Sequence, residues 1–233
     1  CTIAFCDAKL ISALETSRQV VAVEPQGMGH TADIDRPFSY EQLADDTVAL
    51  MRRLHIEKAD VFGFSIGGGI AQQVAIRHPE VVRDLIVASS PYSSDGWYPQ
   101  VTAGEQAITP AELTQSPFYE AYLQVAPRPQ DWPTYVEKEK ALALTAYDWT
   151  TSVSEISSPT MIVAGDSDSV RPEAALGFFK LLGGGVPGDF QPLPRARLVV
   201  LPGTAHPGVM LSDLLPQAIT PFLDSTSGDA GSP

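Results

Sequence analysis

Cysteine is nearly absent from this chain: Cys1 and Cys6 are the only two in 233 residues. A pair so close together closes at most one tiny loop, which excludes a disulfide scaffold. No Cys/His cluster has zinc-ligand spacing, and the four histidines, His30, His55, His78 and His206, are too scattered to read as a metal motif. Basic residues are scarce as well. Lys plus Arg is 15 against 28 Asp plus Glu, a net charge of −13 and a sequence pI near 4.6. That balance argues against a phosphate-tracking nucleic-acid surface and against docking on anionic lipid. No apolar run approaches the roughly 18 residues of a membrane span. No basic segment followed by an apolar one marks a signal peptide, so a cytoplasmic location is expected.

What remains is an ordinary globular composition, 44% hydrophobic and 18% charged, in a chain long enough for a substantial core. Residues 7–17 read as a short helix. Residues 19–24 (QVVAVE) are β-branched and read as a buried strand. Ser39, with Gln42 three residues on, predicts a capped helix from Tyr40 to about His55. Strands are expected at 59–65, 81–90, 159–166 and 196–202. Helices are expected at 66–79, after Pro172, and from about 208 to 223. The strands are continuous apolar runs alternating with helices, which predicts a parallel sheet covered on both faces.

The alternation fails between Pro91 and about Ser158. Seven of the 20 prolines, all three tryptophans and six of the seven tyrosines lie in that stretch. It reads as an inserted helical cap. Trp97, Tyr98, Phe118, Tyr119, Tyr122, Trp132, Tyr135 and Trp149 are expected either to line a pocket or to form the cap's own core. Arg171, Lys138 and Lys140 are expected to be solvated.

Gly63-Phe64-Ser65-Ile66-Gly67 is a G-x-S-x-G sequence joining a predicted strand to a predicted helix. A nucleophilic serine on such a strained turn needs small neighbours, and Gly63, Gly67 and Gly68 supply them. The N–H groups at the start of the following helix, Ile66 first, face developing negative charge. Serine is a weak nucleophile until a base takes its proton. His206, in PGTAHPG just after the last strand, stands at the sheet edge where sites of open α/β folds lie. Asp166 and Asp168, in AGDSDSVRP at the end of the preceding strand, compete to orient it, and Asp168 is favoured. Gly27-Met28-Gly29-His30-Thr31-Ala32 imitates a dinucleotide fingerprint, but Asp33, Asp35 and Pro37 leave no helix to hold a pyrophosphate. Glu24 and His30 are expected to fix that turn, and His55 and His78 to serve helix C-termini.

On VVAVEPQGMGHT, GFSIGG, PTMIVAGDSDSVRP and VLPGTAHPG together, the chain resembles the α/β-hydrolase superfamily. The resemblance implies an α/β-hydrolase fold: a mostly parallel sheet with helices on both faces and a helical cap. Residues 1–90 and 159–224 would form the core, 91–158 the cap and 225–233 a disordered tail. The second aspartate of the family's G-D-x-D-x-x-x-P falls on Asp168, the elbow serine on Ser65 and the late histidine on His206. The Ile66 N–H would be one oxyanion donor. A second donor normally follows an early His-Gly, and none stands upstream of Val20. The chain opens on Cys rather than Met, and by analogy a preceding segment of about 30 to 50 residues is expected. The implied function is a serine hydrolase acting on a small-molecule ester or lactone, with no metal and no organic cofactor. Cofactor-free haloperoxidase or perhydrolase chemistry and carbon–carbon bond hydrolysis on the same three residues are the alternatives, and a non-catalytic ligand-binding member is the third.

Overall fold

Four apolar runs form one sheet. In the computed structural model, which describes residues 8–227, β1 (Ala59–Phe64), β2 (Val82–Ala88), β3 (Thr160–Ser167) and β4 (Ala196–Ala205) lie side by side in that order. Every neighbouring pair is parallel. Parallel neighbours need long crossovers. In chain order the helices are α1 (Ala8–Leu14), α2 (Tyr40–Arg53), α3 (Ile66–Arg77), α4 (Pro99–Ala107), α5 (Pro117–Val125), α6 (Trp132–Ala143), α7 (Thr150–Ser154), α8 (Pro172–Leu181), α9 (His206–Leu211) and α10 (Leu214–Ser227). None of the helices among the described residues is long and apolar enough to cross a membrane.

The two faces of the sheet divide the core by the period of two along each strand. Leu85 and Val87 of β2 and Ile162 and Ala164 of β3 point into a larger cluster with α2, α3, α8 and the cap. Ile86 and Ala88, with Met161 and Val163, point the other way, onto α1, α9 and α10. Both faces are therefore largely apolar, which is why these strands read as hydrophobic runs, although β2 also carries the buried Asp84. The α2 helix starts as expected: Ser39 accepts from the Gln42 N–H at 3.2 Å. The Gln42 side chain does not complete the box and reaches Asp46 instead.

Residues 19–24 correct the sequence reading. They form no strand, and Val21 and Val23 are exposed. β-Branched composition makes a strand possible, but a strand exists only in a ladder, and this segment pairs with none of the four described strands. The C-terminal region differs too. The expected last helix is two, broken at Ser212, whose hydroxyl caps the Leu214 N–H at 3.2 Å. The second runs to Ser227, into the stretch expected to be a disordered tail. Residues 228–233 and both cysteines lie outside the described residues.

Between β2 and β3 the chain builds four helices, α4 to α7, with no strand among them. The two ends of this insertion meet at a narrow neck. Ser93 and Asp148 form an antiparallel bridge, the Ser94 N–H donates to the Tyr147 carbonyl at 2.9 Å, and the Trp149 N–H donates to the Tyr92 carbonyl at 3.0 Å. Above the neck, Tyr119, Tyr122, Trp132 and Tyr135 pack on one another with centroids 5.1–5.7 Å apart. These rings continue the larger core cluster into the insertion. Tyr147 and Trp149 stack at 4.2 Å and meet the edge of Tyr40 on α2, fastening the neck to the sheet layer. Lys138 adds a tie: its ammonium donates to Asp33 at 2.7 Å and to the Ile34 carbonyl at 2.8 Å. Lys140 donates to the Ile108 carbonyl at 2.9 Å. Neither lysine is the freely solvated cation its sequence context implied.

Candidate active site

Ser65 follows β1 directly. Its N–H continues the parallel ladder, donating to the Ala88 carbonyl at 3.0 Å, and its backbone then turns sharply with φ 55° and ψ −121°. A non-glycine residue at positive φ is strained. The turn survives because its neighbours leave it no alternative. A Cβ added to Gly63 would lie 2.0 Å from the Gly67 carbonyl oxygen, and one added to Gly68 would lie 2.4 Å from the Ser90 Cβ. Gly67 does not share this role, since a Cβ there meets nothing within 4 Å. The tight glycines are Gly63 and Gly68, so the sequence motif alone misplaces part of the requirement. Ile66 is the first residue of α3, so its N–H has no partner in a preceding turn and points from the helix's positive end.

His206 reaches this serine from the other side of the site. It was expected on a loop. Instead β4 runs to Ala205 and His206 opens α9. Its Nε2 lies 3.0 Å from Ser65 Oγ, and its Nδ1 lies 2.7 Å from Asp168 Oδ1. An ionised carboxylate only accepts, so Nδ1 donates to Asp168, and in the neutral imidazole the Nε2 lone pair faces the serine hydroxyl. The imidazole is packed between Phe64, with centroids 4.8 Å apart, and the edge of Trp97 from the cap, at 5.8 Å. The Asp168 side chain is wholly buried and that of His206 is 19% exposed.

Burial by itself would raise the Asp168 carboxyl. Donors from His206, Ser89 and the Gly165 N–H outweigh it and hold the group below the usual carboxylate range. Asp166, the competing candidate, does different work. Its two oxygens accept from the Gly203 and Thr204 N–H groups at 2.7 and 3.0 Å, and those bonds lower its pKa. It thus pins the end of β4, where Gly203 sits at φ 61°, just before His206. Glu24 and His30 are joined as expected of a turn: Glu24 Oε2 accepts from the His30 N–H at 2.7 Å and lies 2.8 Å from its Nδ1.

Ser89 and Glu105 escaped the sequence reading, and Arg171 departs from it. Ser89, at the end of β2, donates to Asp168 Oδ2 at 2.5 Å. Arg171 is only partly solvated: its guanidinium donates to the Asp95 carbonyl, and its Nε is buried without a partner. Glu105 lies on α4. Its carboxyl is raised by burial and by Glu139, against the opposing pull of His206 and Lys140. Of the cap aromatics, Trp97 meets the imidazole, while Tyr98 and Phe118 are exposed.

The family model described as the alpha/beta hydrolase family matches residues 4–217. Among curated relatives, the chain is 41% identical over 78 residues to a 2-hydroxymuconate semialdehyde hydrolase of Pseudomonas sp. (strain CF600), covering 33% of this chain and 28% of that protein. It is 27% identical over 175 residues to 3-oxoadipate enol-lactonase 2 of Acinetobacter baylyi, covering 66% of this chain and 63% of that one. It therefore spans less than two thirds of the length of either. Among solved structures, a meta-cleavage product hydrolase from Pseudomonas fluorescens IP01 superposes with a TM-score of 0.70 at 20% identity, over 95% of this chain and 86% of the other. The enol-lactonase from Burkholderia xenovorans LB400 does so with a TM-score of 0.66, also at 20% identity, over 93% and 85%. The likeness to both structures is one of fold. With a family match running from residue 4 to residue 217 on this parallel sheet, the chain belongs to the alpha/beta hydrolase family.

Proposed function

We propose that the protein is a serine hydrolase that cleaves a small carboxylic ester or lactone through an acyl-enzyme. The observation that carries this reading is the unbroken hydrogen-bonded line from Ser65 Oγ through His206 to Asp168, at 3.0 and 2.7 Å. Ser65 Oγ attacks the substrate carbonyl carbon as His206 Nε2 takes its proton. The carbonyl oxygen becomes an oxyanion, and the Ile66 N–H at the positive end of α3 donates to it. Asp168 keeps the imidazole in the tautomer that can accept at Nε2, and it stabilises the imidazolium that forms. The imidazolium then protonates the leaving alkoxide as the carbon–oxygen bond breaks. In a lactone that alkoxide stays tethered to the acyl group. Water attacks the acyl-enzyme, His206 takes its proton, and Ser65 recovers a proton as the acid departs. Every step uses groups of this chain, the substrate and water.

Carbon–carbon bond hydrolysis on the same three residues is the second reading. It is favoured by the 78-residue stretch shared at 41% identity with the 2-hydroxymuconate semialdehyde hydrolase. Labelling with a fluorophosphonate, read by intact mass, tests the part common to both. Wild type should carry one adduct that Ser65→Ala lacks, and Ser65→Ala should lose p-nitrophenyl acetate turnover while staying folded. An adduct on Ser65→Ala, or retained turnover, overturns the mechanism. A substrate panel of esters, lactones and vinylogous diketones, with peracid formation from acetate and peroxide beside it, then separates the chemistries.

A further inference from the structure

Asp168 makes four hydrogen bonds. Oδ1 takes the His206 Nδ1–H at 2.7 Å and the Val170 N–H at 3.3 Å. Oδ2 takes the Gly165 N–H at 3.0 Å and the Ser89 hydroxyl at 2.5 Å. Two of these come from the backbone next to Asp168, and one is the working contact with His206. Ser89 supplies the remaining one, from a different strand and from 79 residues away in sequence.

Ser89 occupies a costly position. It is 1% exposed and its φ is +49°, a region where glycine is the untroubled residue and a side chain costs about 1 kcal/mol or more. Its N–H is fixed to the Val163 carbonyl at 2.8 Å, which ties the turn to β3. Glycine would satisfy this backbone and this bond equally well. What serine adds is the hydroxyl, which faces a buried carboxylate at the short distance of a charge-assisted bond. A carboxylate rotates easily about its last torsion. With Oδ2 held by Ser89, Oδ1 is presented to His206 in one orientation.

We infer that Ser89 is a positioning residue of the catalytic apparatus, acting on His206 through Asp168, so that the working unit is four side chains rather than three. The inference rests on the serine-hydrolase reading above. A serine present only to make the turn would affect stability and leave catalysis alone.

Two substitutions separate these roles. Ser89→Ala keeps the backbone strain and removes the hydroxyl, whereas Ser89→Gly removes both. With p-nitrophenyl acetate as probe, both variants should lose about tenfold in kcat, the lower end of what a hydrogen bond to a charged group supplies, with KM within about twofold of wild type. Fluorophosphonate labelling of Ser65 should slow in proportion. The downfield proton resonance of the His206 Nδ1–H should shift or broaden in both, while Ser65→Ala keeps it. Ser89→Gly should be at least as stable to heat as Ser89→Ala. A folded variant of either kind with kcat within twofold of wild type and an unmoved resonance overturns the inference. If Ser65→Ala is inactive and Ser89→Ala keeps kcat within twofold of wild type with the resonance unmoved, Ser89 alone is refuted. If Ser65→Ala turns over the probe like wild type, the hydrolase reading falls first and the role of Ser89 with it.

Discussion

Gly63→Ala is the sharpest test of how this fold holds its serine. The new Cβ would stand 2.0 Å from the Gly67 carbonyl oxygen and 2.8 Å from the Ala71 Cβ. Ordinary contact is about 3.5 Å, so β1 and the first turn of α3 would have to part by more than an ångström against a backbone atom, not a flexible side chain. Overpacking of this kind costs about 1–3 kcal/mol. The larger effect is on chemistry. Ser65 sits between the two parts that must separate, and its oxygen lies 3.0 Å from His206 Nε2. Misplacement by about 1 Å costs on the order of 100-fold in rate. Gly67→Ala is the control, because its Cβ meets nothing within 4 Å, so stability should hold or rise by a few tenths of a kcal/mol, as for a glycine replaced in a helix. Urea denaturation gives the stability of each variant, and the second-order rate of fluorophosphonate labelling gives the competence of Ser65. A Gly63→Ala protein with wild-type midpoint and labelling rate would refute the argument, as would a Gly67→Ala protein that loses as much stability as Gly63→Ala.

Two further outcomes follow from the carboxylates. Asp168→Asn should lower kcat by about 10⁴-fold, the effect of turning a triad acid into an amide, whereas Asp166→Asn, which only relaxes exposed bonds to the end of β4, should lose less than about tenfold; steady-state kinetics of the pair would contradict this assignment by giving equal losses. Asp45 is held at about 2, chiefly by hydrogen bonds from Arg77 and His78. Its folded value lies below its unfolded one, so the stabilisation is full above about pH 4 and fades as the pH falls toward 2. Asp45→Asn should flatten that part of the acid profile and cost less than about 1 kcal/mol at neutral pH, because the cluster is partly open to solvent. Urea midpoints that fall equally in both proteins over this window would count against it.

The sheet was legible because its strands are mostly apolar runs with partners of the same kind, and a helix follows each of them except β2, where the insertion begins. Residues 19–24 have that composition and still form no strand, since a ladder depends on a neighbour that local sequence does not specify. Ser65, Asp168 and His206 could be singled out because each lies at or just beyond the end of a predicted strand, at the same sheet edge. Ser89 could not: a serine after a strand looks like any turn residue, and both its strain and its partner are tertiary facts. Lys138, Lys140 and Arg171 fall in the same class, since their acceptors, Asp33, Ile108 and Asp95, are far away in sequence. The cap showed its helical character and its aromatic wealth, but not which rings face one another and which face His206. That division depends on how helices pack, which proline-broken segments leave open.

The neck at Ser93 and Asp148 gives the cap a degree of independence from its own length. The two strands it interrupts are adjacent in the sheet, and a few backbone bonds hold its ends together. Closing a longer loop across fixed ends costs only about 0.6 kcal/mol per doubling. A lineage can therefore lengthen, shorten or exchange everything between the neck residues while the strand ends that carry the serine, the acid and the histidine stay in place. In this architecture the insertion is a replaceable part on a fixed frame, since its content can change without moving the strand ends that anchor it.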